Sequence, residues 1–353
     1  MRTENKRRVT IKDVAREAGV SYSTVSRVVN GFEYVNAETR AKVLEAMGRL
    51  EYVVNQQARN LVKGQSRVVG LLIHGFDSNY MGEVVRGIDD ALFEAQYDLL
   101  LYTTHRQRER EATYVTNITQ GLVDGLLLLL PRDPSSYLES LSRRKFPFVM
   151  IDHRAESADV NAVTSTNWQG AYEATEYLIK LGHNRIGFIA GDRLVACSKD
   201  RLQGYKDALK ANQIAFDQAL VCEGDFFHPA GFDGATTLLT RQDPPTAIFA
   251  SNDVMAFGAI EAALHMGYRI PHDVSIIGFD DIAQAGISHP KLTTVRQPLR
   301  EMGSEAAALL LRMMTNGTNF DPRCVELPTQ LIVRQSTVGP EESVFMQPNS
   351  VKM

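Results

Sequence analysis

The chain has 353 residues, 44% of them hydrophobic and 23% charged, with a formal net charge of −4. That length allows two to three domains with sizeable cores. The apolar run Leu126–Leu130 is a strand's length, and no run in the sequence is long enough for a membrane span. Cys197, Cys222 and Cys324 lie too far apart for a disulfide framework or a zinc signature, which fits a reduced cytoplasm. The early charges Arg2, Glu4, Lys6, Arg7 and Arg8 have no apolar segment behind them, so no signal peptide is expected.

Net charge alone speaks against nucleic acid, but its distribution reverses that. Residues 1–64 hold 12 Lys and Arg against 7 Asp and Glu, an excess of +5, which leaves −9 for the remainder. A basic head on an acidic body is the pattern of a nucleic-acid-binding segment joined to something else. Thr10 and Asp13 form a capping pattern ahead of an apolar stripe, so a helix is expected from Ile11 to about Ala18. Gly19 ends it, and Ser21 is placed to cap a second helix. In that second helix Val25, Val28 and Val29 would face inward, leaving Tyr22, Ser23 and Arg27 outward. Asn36 would cap a third helix from Ala37 to about Leu50. Two short helices joined by a glycine turn, the second carrying hydroxyls and a guanidinium outward, make a helix-turn-helix that suits DNA.

The segment Val9–Asn30, with Glu38-Thr39-Arg40-Ala41-Lys42-Val43 and Asn55-x-x-Ala58-Arg59-x-Leu61, resembles the headpiece of the lactose/galactose-repressor (LacI/GalR) family. The resemblance implies that Tyr22 and Ser23 read major-groove bases and that Arg27 reads a base or phosphate deeper in the helix. Thr10, Ser21, Thr24, Ser26 and Asn30 would mostly position the DNA backbone. Asn55–Leu61 would form a DNA-binding hinge helix that folds only on operator DNA, with Leu61 as an apolar wedge in the minor groove and Ala58 packed beside it. About two turns is indeed too short for a stable isolated helix, and a wedge that kinks DNA must recover its cost through added contacts.

Beyond a linker at 62–67, short apolar runs alternate with amphipathic stretches. Val68–Ile73, Leu99–Tyr102, Gly125–Leu130, Phe148–Ile151, Ile186–Ala190, Ala247–Ala250 and Val274–Phe279 read as buried strands. Helical patterns lie near Tyr80–Ala95, Arg108–Gln120, Trp168–Leu181, Lys199–Asn212 and Asp253–Met266. Such alternation predicts parallel α/β sheets covered on both faces, and about 270 residues suit two similar lobes better than one. Ligands of open α/β sheets bind beyond the carboxyl ends of strands. Asp77, Asp152, Asn252 and Asp280 with Asp281 stand there, Arg201 could clamp vicinal oxygens, and Phe226 could stack on a sugar face. Each acid or amide singly could be a helix cap; together with an arginine and an aromatic they favour a cleft for a hydroxyl-rich ligand.

The resemblance extends here through Arg201-Leu-Gln-Gly-Tyr, Ala250-Ser-Asn-Asp-Val-Met-Ala, Gly278-Phe-Asp-Asp and Leu292-Thr-Thr-Val, so it covers residues 9 to about 338. It implies an all-α headpiece (1–61) followed by a two-lobed α/β core of the periplasmic-binding-protein-like (type I) fold (68–338). Lobe 1 would comprise about 68–165 and 296–325, lobe 2 about 166–295 and 326–338, and 339–353 a polar tail without a leucine heptad. Asp152, Arg201, Phe226, Asn252 and Asp280 would hold the effector, with Asp77 and Tyr80 lining the other lobe. One departure is His74-Gly75-Phe76-Asp77, where many relatives carry Pro-Asp. No nucleotide-binding, hydrolase or metalloprotease motif is present and the histidines lack metal spacing, so neither an enzyme nor a cofactor or metal is expected. The expected protein is a cytoplasmic, homodimeric, sequence-specific DNA-binding regulator. It would be a repressor released from its operator by a sugar or glycoside, with corepressor-dependent or activating control left open. A sugar-binding transport receptor shares the body but lacks the head.

Overall fold

The computed structural model of the chain describes residues 9–30, 32, 34–52, 65–75, 79–153, 160–316 and 323–340. The expected hinge residues Asn55, Ala58 and Leu61, as well as Asp77 and the tail from 341 on, lie outside the described residues. The chain divides into two compact units, Met1–Ser66 and Arg67–Met353.

The first unit contains α1 (Ile11–Glu17), α2 (Tyr22–Val29) and α3 (Ala37–Arg49). Thr10 donates its backbone N–H (2.9 Å) and its hydroxyl (2.7 Å) to the Asp13 carboxylate, which fixes the start of α1. The Ser21 hydroxyl accepts the Thr24 N–H at 3.1 Å and the Asn36 side chain accepts the Thr39 N–H at 2.8 Å, satisfying the first turns of α2 and α3. Gly19 sits at φ +65° with open space where a Cβ would stand, so backbone conformation and not crowding requires the glycine. The helices close on Val14, Val25, Val28, Val43 and Ala46, with Ile11, Val29, Met47 and Leu50 packed around them.

The second unit is built on two six-stranded sheets. The first uses β1 (Val68–Ile73), β2 (Asp98–Thr103), β3 (Gly125–Leu129), β4 (Phe148–Ile151), β5 (Ala162–Ser165) and β11 (Cys324–Leu327), in the order β11-β5-β4-β3-β1-β2 and parallel throughout. The second uses β6 (Ile186–Ile189), β7 (Val221–Cys222), β8 (Ala247–Ala250), β9 (Ser275–Asp280), β10 (Thr293–Arg296) and β12 (Gln330–Ile332), in the order β12-β10-β9-β8-β6-β7. Only the β10–β12 pairing is antiparallel there among the described strands.

Helices cover both faces of each sheet. On the first lie α4 (Asn79–Glu94) and α11 (Leu299–Asn316) on one side, α5 (Arg108–Ile118) and α6 (Ser135–Arg143) on the other. On the second lie α7 (Asn167–Lys180) and α8 (Ala196–Ala211), then α9 (His228–Leu239) and α10 (Asp253–His265). The central strands are buried along their whole length, as two-sided cover demands. Leu99–Tyr102 departs from the expectation of a buried strand. It belongs to edge strand β2, where burial alternates and Leu100 remains 37% exposed, because only β1 pairs with it.

The chain leaves the first sheet after β5, returns from β10 into α11, and crosses again between β11 and β12. Each lobe is therefore assembled from separated segments. The last crossing falls after Leu327, slightly later than expected, because β11 pairs with β5 as far as Leu327 against Ser165. The lobes meet directly: Ile282 and the α10 residues Val254 and Phe257 pack on the apolar cluster of the first lobe, and Asn79 donates to Gln284 at 2.8 Å. Among the described residues no helix is long and apolar enough to cross a membrane.

Candidate functional site

In both sheets the strand order reverses beside the first strand of the lobe, at β1/β3 and at β6/β8. Crevices at such reversals, beyond the carboxyl ends of parallel strands, are where open α/β folds hold ligands. A cavity of about 670 Å³, its open mouth included, lies there. His74 follows β1, Leu130 and Arg132 follow β3, and Asp152 follows β4; from the other lobe come Asp192 after β6, Asn252 after β8 and Asp280 at the end of β9.

Its floor is a buried polar network that joins the lobes. Tyr80, at the start of α4, donates to Asp152 Oδ2 at 2.8 Å. Asn167, the first residue of α7, donates from Nδ2 to Asp152 Oδ1 at 2.9 Å and accepts Arg201 Nε at 2.8 Å. Arg201 Nη1 donates to the Ser251 carbonyl at 2.6 Å and approaches Asp280 Oδ1 at 3.5 Å, while Nη2 lies 3.9 Å from Asp152. Gln297 Nε2 donates to Asp280 Oδ1 at 2.7 Å. The guanidinium sits 3.9 Å from the centre of the Phe279 ring. Asp152, Arg201 and Asp280 are each under 5% exposed, so charges of both signs are sunk together, which is how buried charge is tolerated.

Burial governs the electrostatics. It pushes the Asp280 carboxyl up to about 7, with the Arg201 charge opposing the rise. Burial also drives the Tyr80 hydroxyl and the Cys197 thiol well above their ordinary ranges, so both are neutral. Burial works against the Arg201 charge, yet the acidic Asp280 and Asp152 around it hold its pKa above the usual value. Asp253 beside the site is likewise raised by burial and by the Asp280 charge; its carboxylate accepts Thr294 Oγ1 at 2.5 Å and the Ile282 N–H at 2.9 Å.

At the mouth, Arg132 of the first lobe pairs with Asp192 of the second. The Arg106 guanidinium lies 3.2 Å over the Phe227 ring. His74 is lowered by burial to about 4, a neutral imidazole between Thr104 Oγ1 (3.0 Å) and the Leu130 carbonyl. Phe226 enters from the loop after β7 at φ +72°, its ring against Gly191, where a Cβ would stand 2.1 Å from it. Acceptors from Asp152, Asp280 and Asn252, donors from Arg201, and the rings of Phe226 and Tyr80 suit a small ligand with hydroxyls on its edges and an apolar face.

The cavity thus gathers six of the residues singled out in the sequence: Tyr80, Asp152, Arg201, Phe226, Asn252 and Asp280. Two details differ from expectation. The helix carrying Arg201 begins at Ala196, earlier than the expected Lys199, so Arg201 lies in the second turn of α8 and its long side chain reaches back to the strand ends. Asn252 does cap α10, accepting the Met255 N–H at 2.9 Å, yet it also faces the cavity and donates to the Phe226 carbonyl at 3.1 Å. The alternatives of cap and cleft residue are both realised. His74, Arg106, Arg132, Asp192, Cys197 and Asn167 were not expected as site residues from the sequence. For His74, Arg132 and Asp192 the signal was available, since each stands just past a strand end.

In the first unit, Tyr22 (54% exposed), Ser23 and Arg27 share the outer face of α2, while Thr24, Ser26 and Asn30 are half-buried beside them. Thr10 and Ser21 are exposed but already engaged as caps. A helix opening with hydroxyls and carrying a guanidinium one turn on is suited to phosphate and base edges.

Comparison with known proteins agrees with both units. Residues 10–55 match the model of bacterial regulatory proteins of the lacI family, and residues 175–337 match a periplasmic binding protein-like domain. The chain is 36% identical over 334 residues to the HTH-type transcriptional repressor PurR of Edwardsiella ictaluri, covering 94% of this chain and 98% of that one. Among solved structures, the lac repressor dimer bound to operator and the anti-inducer ONPF aligns with a TM-score of 0.83 at 29% identity, over 94% of this chain and all of that one. The cellobiose complex of the transcriptional regulator CelR aligns with a TM-score of 0.71 at 34% identity, over 93% of this chain and all of that one.

Proposed function

The chain belongs to the lacI family of bacterial regulatory proteins and is a DNA-binding transcriptional regulator, and we propose that it is a homodimeric repressor released from its operator by a small saccharide. The observation that carries this reading is the convergence of Asp152 from one lobe and Arg201 and Asp280 from the other on one buried floor. A ligand seated on that floor touches both lobes at once, so its binding energy depends on how they are apposed. That is what coupling between two sites requires: an effector affinity that differs between two states, commonly worth about 1–3 kcal/mol.

In this reading Tyr22, Ser23 and Arg27 read base edges in the major groove, and Thr10, Ser21, Thr24, Ser26 and Asn30 set the register on the phosphates. Two heads take adjacent half-sites of a pseudo-palindrome, because operator symmetry follows dimer symmetry. In the same reading the hinge Asn55–Leu61 coils only on DNA, with Leu61 wedged into the minor groove and Ala58 packed beside it. Saccharide bound to Asp152, Arg201, Asn252 and Asp280, stacked on Phe226 with Tyr80 and Asp77 on the other lobe, shifts the lobes and withdraws that support.

The full chain should be heated with cellobiose, ribose and a panel of further mono- and disaccharides. A true effector at 100 times its Kd adds about 2.7 kcal/mol of stability, and it should weaken binding to an operator selected from random duplexes. No stabilisation by any saccharide would remove the effector assignment. A saccharide that tightens operator binding would replace inducer by corepressor.

A further inference from the structure

Asp280, the carboxylate closest to Arg201 Nη1, is held in an unusual backbone. Its φ is +117°, and the next residue, Asp281, is also left-handed at +58°. Two consecutive non-glycine residues in that region are strained, and such strain persists only where the surroundings over-determine it. Asp281 supplies the restraint. Its side chain is 6% exposed and is gripped from two sides: Arg296 Nε donates to Oδ2 at 2.7 Å and Arg334 Nη2 to Oδ1 at 2.6 Å. Arg296 ends β10, the strand from which the chain crosses into the first lobe, and Arg334 follows β12, the strand by which it has come back. Arg334 is itself fixed through Nη1 to the Leu292 carbonyl at 2.8 Å and through its own N–H to Thr293 Oγ1 at 2.9 Å.

The same turn is tied to the crossovers by Gln297. Its N–H donates to the Asp280 carbonyl at 3.2 Å, and its side chain donates to Asp280 Oδ1 and accepts Ser165 Oγ at 2.5 Å, at the end of β5. The acid that faces the ligand is therefore anchored, one residue away, to the segments about which the lobes must move.

We infer that Asp281, clamped by Arg296 and Arg334, is a positioning residue: it holds Asp280 in the left-handed turn that aims its carboxylate at Arg201 and at the bound saccharide. Releasing the clamp lets the backbone at 280 relax toward an ordinary conformation, which swings the Asp280 side chain off the cavity floor. This rests on the saccharide reading of the cleft.

The test uses the full chain and Asp281→Asn, which keeps the shape but removes the charge, with Arg334→Met as an independent release of the same clamp. Hydrogen exchange without ligand is followed at peptides covering 279–285 and 293–299, and cellobiose and ribose affinities are measured by calorimetry at a temperature where all variants are folded. Both variants should raise exchange in those two peptides at least tenfold and weaken whichever saccharide the wild type binds by at least tenfold, and the double variant should add little to either single one. An ion pair that merely stabilises the fold would lower Tm while leaving Kd unmoved, and that result overturns the inference, as does unchanged exchange. If the wild type binds neither cellobiose nor ribose, the affinity arm counts against the saccharide reading, and the exchange arm still decides whether Asp281 holds the turn.

Discussion

The outer face of α2 and the floor of the cleft both use arginine, and they use it in opposite dielectric settings. Arg27 stands in water on a helix whose other face packs a small apolar core. Arg201 is 2% exposed, with three of its nitrogens committed to Asn167, Ser251, Asp280 and Asp152. An exposed guanidinium loses little when removed and acts by meeting a partner from outside. A buried one is part of a charge-balanced set, and its removal strands the rest. In the proposed reading, recognition can thus be altered on α2 without unfolding anything, whereas the cleft would couple ligand binding to stability.

The largest expected effect comes from breaking the buried set. Arg201→Ala leaves Asp152 and Asp280 without their cation and should cost about 3–5 kcal/mol of stability, read as a lowered Tm of the core together with loss of any saccharide response. An unchanged Tm would mean that the two carboxylates are balanced some other way and that the contrast with α2 is false. Arg27→Ala should cost about 1–3 kcal/mol of operator binding if it reads a base, with Tm unchanged. A fall in Tm there would place Arg27 in the architecture of the head.

A third prediction sharpens the comparison through pH. Asp280 titrates near 7 in the fold, against about 3.9 in the unfolded chain. Between those values the folded protein holds the extra proton, so stability contributed by this group is lost as pH rises from about 4 to about 7. Affinity for the proposed saccharide should run the other way, rising through about pH 7 as the acceptor carboxylate forms. Asp280→Asn should flatten the first trend, measured as Tm against pH; an equally steep profile in that variant would assign the titration to another group.

The helix caps and the core face of the head are strictly local, and Thr10, Asp13, Gly19, Ser21 and Val25 announce them within a few residues of one another. The apolar runs β1, β3, β4, β6, β8 and β9 are equally visible. Strands β5, β10, β11 and β12 are not, because polar residues interrupt each of them, nor is β7, which is only two residues long; each takes its pairing from the neighbour it docks against. Helices α6, α9 and α11 likewise escaped notice, although α11 spans Leu299–Asn316. In the cleft, the rule that ligands lie past strand ends found Asp152, Asn252 and Asp280. Asn167 was invisible to it, since an asparagine opening a helix reads as a cap and only folding sets it between Asp152 and Arg201.

What the amino-acid order determined by itself is what propagates over a turn or two: capping, helical faces, the glycine turn, and an apolar content that forces two covered sheets. What only tertiary packing decided is which strand ends share a crevice and which charges share a dry floor. Asp152, Arg201 and Asp280 are far apart in the chain, and no local preference brings them together. They meet because parallel strands all end on one side of their sheet and because the chain crosses between lobes three times. Once they are desolvated together, burial raises the Asp280 carboxyl against the opposing Arg201 charge.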